Sequence, residues 1–443
     1  MSSIIPEEII IDIFSRLLVK SILRFRCVCK PWCNLFRDPN FVKMHLNYQN
    51  KNNFSLMLNH DRSLYSIDFN SSSSSSSTLF HEDKAVKIDH PFKSRERDKY
   101  HKVQILSPGE VKILGSCNGL LSIKHNRRDV ICIWNPSTKE YKKIPSPPPI
   151  EYQSINIFYY KCLFGFGYDC KTEDYKLVRI VIVDDVSQIS VYTIRSNSWR
   201  SIQTCPYRLY TYYGVRGKLV NGALHWIATR PIEGGSKASS VIVSFNISNE
   251  RFQEIQLPNC FVHKYPKKMF NMGLLRGSLC LIDNDSVKGQ VEIWVMKNYG
   301  VIESWTKLFT ISQWKNDFKY LRPIQFLKNG EIVFESLFTE RRMYRDLVSY
   351  ERMYKALVSY DPKHERARIL NIQGILNEKW FSTETFVGSL VSLNSSTYVG
   401  QEQIEEAVEN EQISLKRNRG TQIEELSSRK RKKEGKRKRT RRG

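Results

Sequence analysis

A near-constant spacing between aromatic anchors is the feature that most limits what this chain can fold into. From 103 to 395, short β-branched and aromatic runs alternate with Gly, Asn, Asp and Pro turns. Leu120–Ile123, Val130–Trp134, Leu177–Val183, Ile189–Ile194, Val241–Phe245, Val291–Met296 and Ile332–Phe334 are examples. Such runs are short antiparallel strands. Within them one unit returns: a strand ending in an aromatic, a turn, then a strand opened by a second anchor. It reads Ile133-Trp134-Asn135-Pro136 with Tyr141–Pro145, Val191-Tyr192 with Trp199–Ile202, and Ser244-Phe245 with Phe252–Ile255. Ile293-Trp294 with Trp305–Leu308 and Ser359-Tyr360-Asp361 with Arg366–Leu370 complete the series. The second anchors fall at 141, 199, 252, 305 and 366, at intervals of 58, 53, 53 and 61 residues. A period near ~50 residues is that of four-stranded propeller blades. Five units, with a sixth shared between 54–68 and 386–398, predict a ring of about six blades.

The first fifty residues have a different period. Pro6 suits a first helical position, and Glu7 and Glu8 suit the positive end of a helix dipole. Ile9, Ile10, Ile13, Phe14 and Leu17 recur at helical spacing, and a second helix from about Ser21 turns Ile22, Phe25 and Val28 inward. Pro31 opens a third helix carrying Trp32, Leu35 and Phe36. Asp38-Pro39-Asn40 reads as a break, after which Phe41, Met44 and Leu46 begin a last turn. Three short helices make a core that is marginal alone.

Other stretches carry no packing pattern. Ser71–Ser77 reads as a flexible loop, and 81–102 is dense in both charge signs. The net charge is +24, of which the 28 residues from Lys416 contribute +11. The basic clusters Arg429-Lys430-Arg431-Lys432-Lys433 and Lys436-Arg437-Lys438-Arg439 resemble a nuclear-import signal, predicting an import receptor as partner and residence in nucleus and cytoplasm. The alternative for this tail is salt-sensitive contact with RNA or DNA, which would make the protein a nuclear nucleic-acid-associated scaffold. A direct repeat, 342–351 followed by 352–361, reads as a duplication bulging from a blade edge, with a lengthened target-contact loop as its functional alternative.

Several chemistries are excluded. The longest apolar stretch, Ile155–Phe166, is interrupted by Lys161 and is short of the ~18 residues that span a bilayer, so no membrane partner is expected. Ten cysteines occur without a Cys-x-x-Cys pair, the pattern of reduced thiols, so no metal is expected; Cys29 and Cys33 read as buried small hydrophobes. Nucleophile elbows, phosphate loops and His-Glu-x-x-His are absent, so neither catalytic residue nor cofactor is expected. Asn118-Gly119, Asn135-Pro136 and Asn221-Gly222 read as tight turns, and His225-Trp226 as packing between blades. Tyr207, Arg208, Tyr210 and Tyr212 form a Tyr/Arg-rich segment before Gly214. These are residue types enriched where interfaces concentrate binding energy, and they are candidates for contact with a protein target.

The opening helices resemble an F-box, on Ile5-Pro6-Glu7-Glu8, Ile13-Phe14-Ser15-Arg16-Leu17, the run Val19–Lys30, Trp32 and Asp38-Pro39-Asn40-Phe41. The resemblance implies docking on a Skp-type adaptor, and through it a cullin scaffold, with Pro6, Ile13, Leu17, Val28 and Trp32 at or just beneath the contact. It departs at Leu18, where the family carries proline; the change is expected to loosen the turn between the first two helices and lower affinity. The body is similar to the F-box-associated domain of plant F-box proteins, the group with S-locus and defence-regulating members. The carriers are Gly115–Leu121, Trp134–Thr138, Phe164–Asp169 with Asp174-Tyr175-Lys176, Val220–Trp226, Ile293–Met296 and Ser389-Leu390-Val391. The implied function is a non-catalytic receptor that presents a captured protein for ubiquitination. The expected fold is α+β and multidomain. A helical F-box occupies 1–46, and first strands with flexible loops occupy 47–102. An all-β kelch-like propeller then covers 103–398, followed by a disordered basic tail at 399–443.

Overall fold

A computed structural model of the protein describes residues 5–60, 63–68, 85–92, 111–126, 129–150, 161–183, 186–202, 204–211, 216–230, 239–262, 270–285, 290–311, 318–344, 348–372 and 381–393. Ser71–Ser77, Tyr212 and the tail with both basic clusters lie outside these residues.

The chain opens with helices α1 (Glu7–Arg16), α2 (Val19–Phe25), α3 (Lys30–Leu35) and α4 (Pro39–Asn52). The last of these corrects the sequence reading. Asp38-Pro39 is a helix start, because the Asp38 carboxylate accepts the amides of Asn40 and Phe41 at 2.9 and 3.0 Å and Pro39 needs no donor at the first helical position. The resulting helix continues past position 46 to Asn52. Phe14 is the hub of the small core, with ring centroids 4.8 Å from Trp32, 5.1 Å from Phe36 and 5.8 Å from Phe25. The Trp32 and Phe36 pairs are edge-to-face, a geometry that contributes about 0.5–1.5 kcal/mol each beyond burial.

Six antiparallel sheets follow. Blade 1 begins with β1 (Ser55–His60), β2 (Ser63–Asp68) and β3 (Val86–Ile88). Blade 2 is β4 (Val111–Cys117), β5 (Leu120–His125), β6 (Val130–Trp134) and β7 (Tyr141–Lys143). Blade 3 is β8 (Lys161–Asp169), β9 (Asp174–Val183), β10 (Val186–Thr193) and β11 (Ser198–Ile202). In blade 4, β12 (Arg208–Leu209) and β13 (Lys218–Val220) share the inner edge of β14 (Ala223–Thr229), followed by β15 (Ser240–Asn246) and β16 (Phe252–Ile255). Blade 5 is β17 (Phe270–Leu275), β18 (Ser278–Asp285), β19 (Gln290–Met296) and β20 (Trp305–Ile311). Blade 6 is β21 (Phe318–Phe326), β22 (Ile332–Tyr344), β23 (Val348–Asp361) and β24 (Arg366–Ile369). The chain then returns as β25 (Phe381–Phe386), pairing with β1 as the innermost strand of blade 1. The shared blade expected from the sequence is present, but its closing strand is Phe381–Phe386 and not 386–398.

The aromatic period has a direct cause. Trp134 pairs across the sheet with Tyr141, Tyr192 with Trp199, and Phe245 with Phe252. Each pair closes the hairpin between the third and fourth strands, with ring centroids 5.5 Å apart for Tyr192–Trp199 and 5.0 Å for Phe245–Phe252. Lys139, Asn197, Glu250 and Glu365 take left-handed φ in the equivalent turns. Between neighbouring blades lie six apolar clusters, one per junction, including the junction of blade 6 with blade 1 through Leu56, Leu58, Ile324 and Val333. The ring is therefore closed by packing as well as by β25.

Candidate functional site

The helical module does not consume its own apolar surface. Ile10 and Phe14 of the first helix and Leu17 just past its end face the core, but Ile9 and Ile13 are 51% and 48% exposed, and Ile5 (54%), Leu18 (52%) and Val28 (63%) are exposed too. Ile9 and Ile13 are four residues apart, which places them along one side of α1, and Ile5 lies just ahead of the helix, before its N-cap Pro6. Val28 therefore points outward, a correction to its expected inward placement. Of the five residues the F-box resemblance assigns to the adaptor contact, Pro6, Ile13 and Val28 are exposed, whereas Leu17 and Trp32 are half-buried beneath. Ile5 and Ile9 are exposed as well; the spacing of Ile9 and Ile13 held the signal, but it was read with Ile10, Phe14 and Leu17 as one face.

The turn at Leu18 is well defined. Leu17 is extended (φ −74°, ψ 153°) and Leu18 has φ −66°, the value a proline would impose. From α4, the His45 ring and the Gln49 amide donate to the Leu17 carbonyl at 2.9 and 2.8 Å. Burial pushes the His45 pKa down, against the effect of that bond, which keeps the ring neutral and the carbonyl satisfied near neutral pH. The sequence expectation of a loosened turn thus meets a turn pinned from a helix it had read only as a last turn.

A short strap joins this module to the propeller. Past β25, Leu390 enters the helical core beside Phe14, Val19 and Ile22, while Leu393 and Val391 pack into the core between blades 2 and 3. Asn135, fully buried at the exit of β6, fixes the strap: its amide donates to the carbonyls of Ser389 and Val391 at 3.1 and 2.8 Å. Its Oδ1 accepts the amides of Ser137 and Thr138 at 2.8 and 3.3 Å, which makes the turn. Gly119, at φ +80°, leaves room for the strap, since a Cβ there would lie 2.1 Å from that of Ser389. Asn118-Gly119 and Asn221-Gly222 are tight turns, as read from the sequence. Three motifs distant in sequence, at 118–119, 134–138 and 389–391, are thus one joint.

Two further motifs turn out to be joints as well. Buried Asp169 accepts from Lys176 (3.0 Å), Thr172 (2.8 Å) and Ser248 (2.6 Å), and Lys176 also pairs with Glu250 (3.0 Å), which ties blade 3 to blade 4. Burial alone would raise the Asp169 pKa, but these partners hold it well below the usual carboxylate range. His225 is buried between Lys218 carbonyl (2.9 Å) and Tyr299 hydroxyl (2.8 Å), and burial lowers its pKa to about 4. It packs against blade 5, as expected.

The target-contact segment sits at the other end of the ring. Residues Ser55, Asp68 and Phe386 meet the helical module, so the turns between second and third strands project from the opposite end. Arg208 pairs with Thr229 at that end; it is exposed, Tyr210 is half-buried, and Tyr207 packs partly into the core between blades 3 and 4. The segment is therefore a short inner strand of blade 4, not a free loop between blades. The duplication also departs from expectation. It does not bulge from an edge: β22 and β23 pair continuously from Ile332↔Tyr360 to Tyr344↔Val348, while β21 reaches only Phe338. The repeat has lengthened a hairpin that projects from the end away from the helices.

These features define a class: a six-bladed propeller carrying a helical module with an unspent apolar face. Two family models match the chain, the F-box domain over residues 2–44 and the F-box associated beta propeller domain over 54–393. The chain belongs to the plant F-box proteins with an F-box associated beta propeller domain. It is 28% identical to F-box protein CPR1 of Arabidopsis thaliana, over 91% of this chain and 94% of that protein. It is also 30% identical to F-box protein At3g07870 (87% and 91% covered) and 27% to F-box/kelch-repeat protein At3g23880 (74% and 84%), both of Arabidopsis thaliana.

Proposed function

We propose that this protein is the substrate-recognition subunit of an SCF-type ubiquitin ligase. The exposed face formed by Ile5, Pro6, Ile9, Ile13 and Val28 docks on a Skp-type adaptor, which brings a cullin scaffold. The observation that carries this reading is the helical module itself: apolar on its outer side and fastened through Leu390 to the propeller. An apolar face of this kind is stabilised by a partner. The propeller end remote from the helices, with the Tyr207–Tyr210 segment and the β22–β23 hairpin, is the surface we assign to a protein target. The subunit contributes proximity: a captured protein has its lysines held near the ubiquitin-charged machinery at high effective concentration. The basic clusters Arg429–Lys433 and Lys436–Arg439 fit recognition by an import receptor, and on that basis we place the protein in nucleus and cytoplasm. Co-expression with a Skp-type adaptor and a cullin, followed by size exclusion, tests the assembly. Co-elution of all three supports the reading; a receptor that elutes alone overturns it.

A further inference from the structure

The innermost strands carry more positive charge towards the propeller axis than they neutralise. Arg216, just before β13 in blade 4, forms an ion pair with Glu384 of β25 in blade 1. In a six-membered ring these blades are opposite one another, so this pair spans the axis. Arg322 of β21 pairs with Glu335 at 2.6 Å and donates to the Thr383 carbonyl at 3.0 Å; Lys355 also takes Glu335, at 2.6 Å. That uses both carboxylates. Lys218 of β13 and Lys112 of β4 interact electrostatically with the same groups, Lys218 with Glu384, Arg322, Arg216 and Glu335, and Lys112 with Arg216. Neither ammonium has a hydrogen bond or an ion pair among the described residues. With Lys355 reaching Glu335 from β23, five basic side chains of this cluster therefore face two carboxylates, and four of the five come from the inner edge of the ring.

Both lysines are half-buried beside like charges, and partial desolvation together with that crowding disfavours their charged form. Burial accordingly lowers the Lys218 pKa to about 8, and that of Lys112 also falls. An anion between them would supply the missing acceptor. The Arg216–Glu384 pair joins opposite blades, so a ligand beside it meets charge converging from several inner strands, an arrangement that suits a compact anion.

We propose that the propeller axis holds a binding site for a small, multiply charged oxyanion of the phosphate class, contacted by Lys112, Arg216 and Lys218. The test is calorimetric titration of the full-length protein with inorganic phosphate and, separately, pyrophosphate, at constant ionic strength. Wild type binds at least one of them saturably at one per chain, and whichever binds more tightly separates a monophosphate from a diphosphate ligand. Lys112→Met and Lys218→Met each weaken binding about tenfold, the loss of one charge-assisted contact. Their melting temperatures without anion are no lower than wild type, since each removes an unpaired charge. Glu384→Gln releases Arg216 and binds more tightly, which gives a readout that does not rest on loss. Absence of saturable binding by wild type overturns the proposal. So does equal affinity in both lysine variants, which would place the anion on the basic tail, and so does unchanged or weaker binding by Glu384→Gln.

Discussion

Replacing Asn135 by alanine should destabilise the propeller severely, although the residue touches no ligand surface. The side chain is fully buried and makes four hydrogen bonds, two donated to the strap and two accepted within its own turn. Alanine leaves the Ser389 and Val391 carbonyls and the Ser137 amide without their partner; the 3.3 Å contact from Thr138 is long enough to count for little. At about 1–3 kcal/mol for each buried group left unsatisfied, with some relief from entering water, the loss should be about 3–5 kcal/mol. At about 2 °C per kcal/mol for a domain of this size, the melting temperature falls by about 6–10 °C. Differential scanning calorimetry measures this, and hydrogen exchange locates it. Protection should drop first at 387–393 and at 135–140, because the strap is released before the blades. Asn135→Asp keeps the acceptor but turns a carboxylate toward two carbonyls, so it should be at least as damaging at pH 7. A loss below about 1 kcal/mol for alanine, or tolerance of aspartate, would refute the view that this one amide fastens the helical module's strap to the ring.

Gly119→Ala and Gly222→Ala make a matched pair: both glycines follow a left-handed asparagine in a tight turn, at φ +80° and +72°. A Cβ at 222 meets open space, so only backbone strain of about 1 kcal/mol is expected, whereas at 119 it collides with Ser389 and the loss should exceed about 3 kcal/mol by denaturant titration. Leu18→Pro should stabilise the protein by about 0.4–1 kcal/mol in thermal melts, because φ already matches, Leu17 is already extended, and the gain lies in the unfolded chain. Its adaptor affinity should change less than about threefold, since His45 and Gln49 already hold the turn; a large increase would show that the turn is loose. For Glu335, burial favours protonation, but Lys355, Arg322 and Thr383 outweigh it and hold the pKa well below its ordinary value of 4.5. The unfolded chain thus binds the proton more readily, so this stabilisation is present above about pH 4.5 and is lost as pH falls towards the folded value. Melting temperatures from pH 6 to 3 should fall more steeply for wild type than for Glu335→Gln, which should already be less stable at pH 7.

What the sequence made legible was local. The recurring aromatic anchors work because Trp134 and Tyr141, or Phe245 and Phe252, are seven residues apart and directly paired across one hairpin, so their period survives in a linear reading. The helices α1 to α3 were legible for the same reason. Features that depend on distant segments were not. The closing strand Phe381–Phe386 is recognisable only by its register with Ser55–His60, more than three hundred residues earlier. The inner strands of blade 4, Arg208–Leu209 and Lys218–Val220, are two and three residues long, too short for an apolar period to register. At Asp38-Pro39 the residues that cap a helix are also those that end one, and only the bonds from Asn40 and Phe41 decide between the two. On α1 the apolar positions outnumber what one buried face can hold. The surplus, Ile9 and Ile13, is the candidate docking surface rather than core.

The most direct measurement of the central claim is the affinity of the full-length protein for a Skp-type adaptor, by isothermal titration, in wild type and in Ile9→Asp/Ile13→Asp. Both positions are about half exposed, so the helical core should survive, and an unchanged melting temperature would establish that it does. If these isoleucines are buried by the adaptor, the variant should bind at least about thirtyfold more weakly, the loss of two partial side-chain burials and the desolvation of two carboxylates. Equal affinity in a variant that melts like wild type would contradict the account, because the exposed side of α1 would then have no part in joining the protein to a ligase.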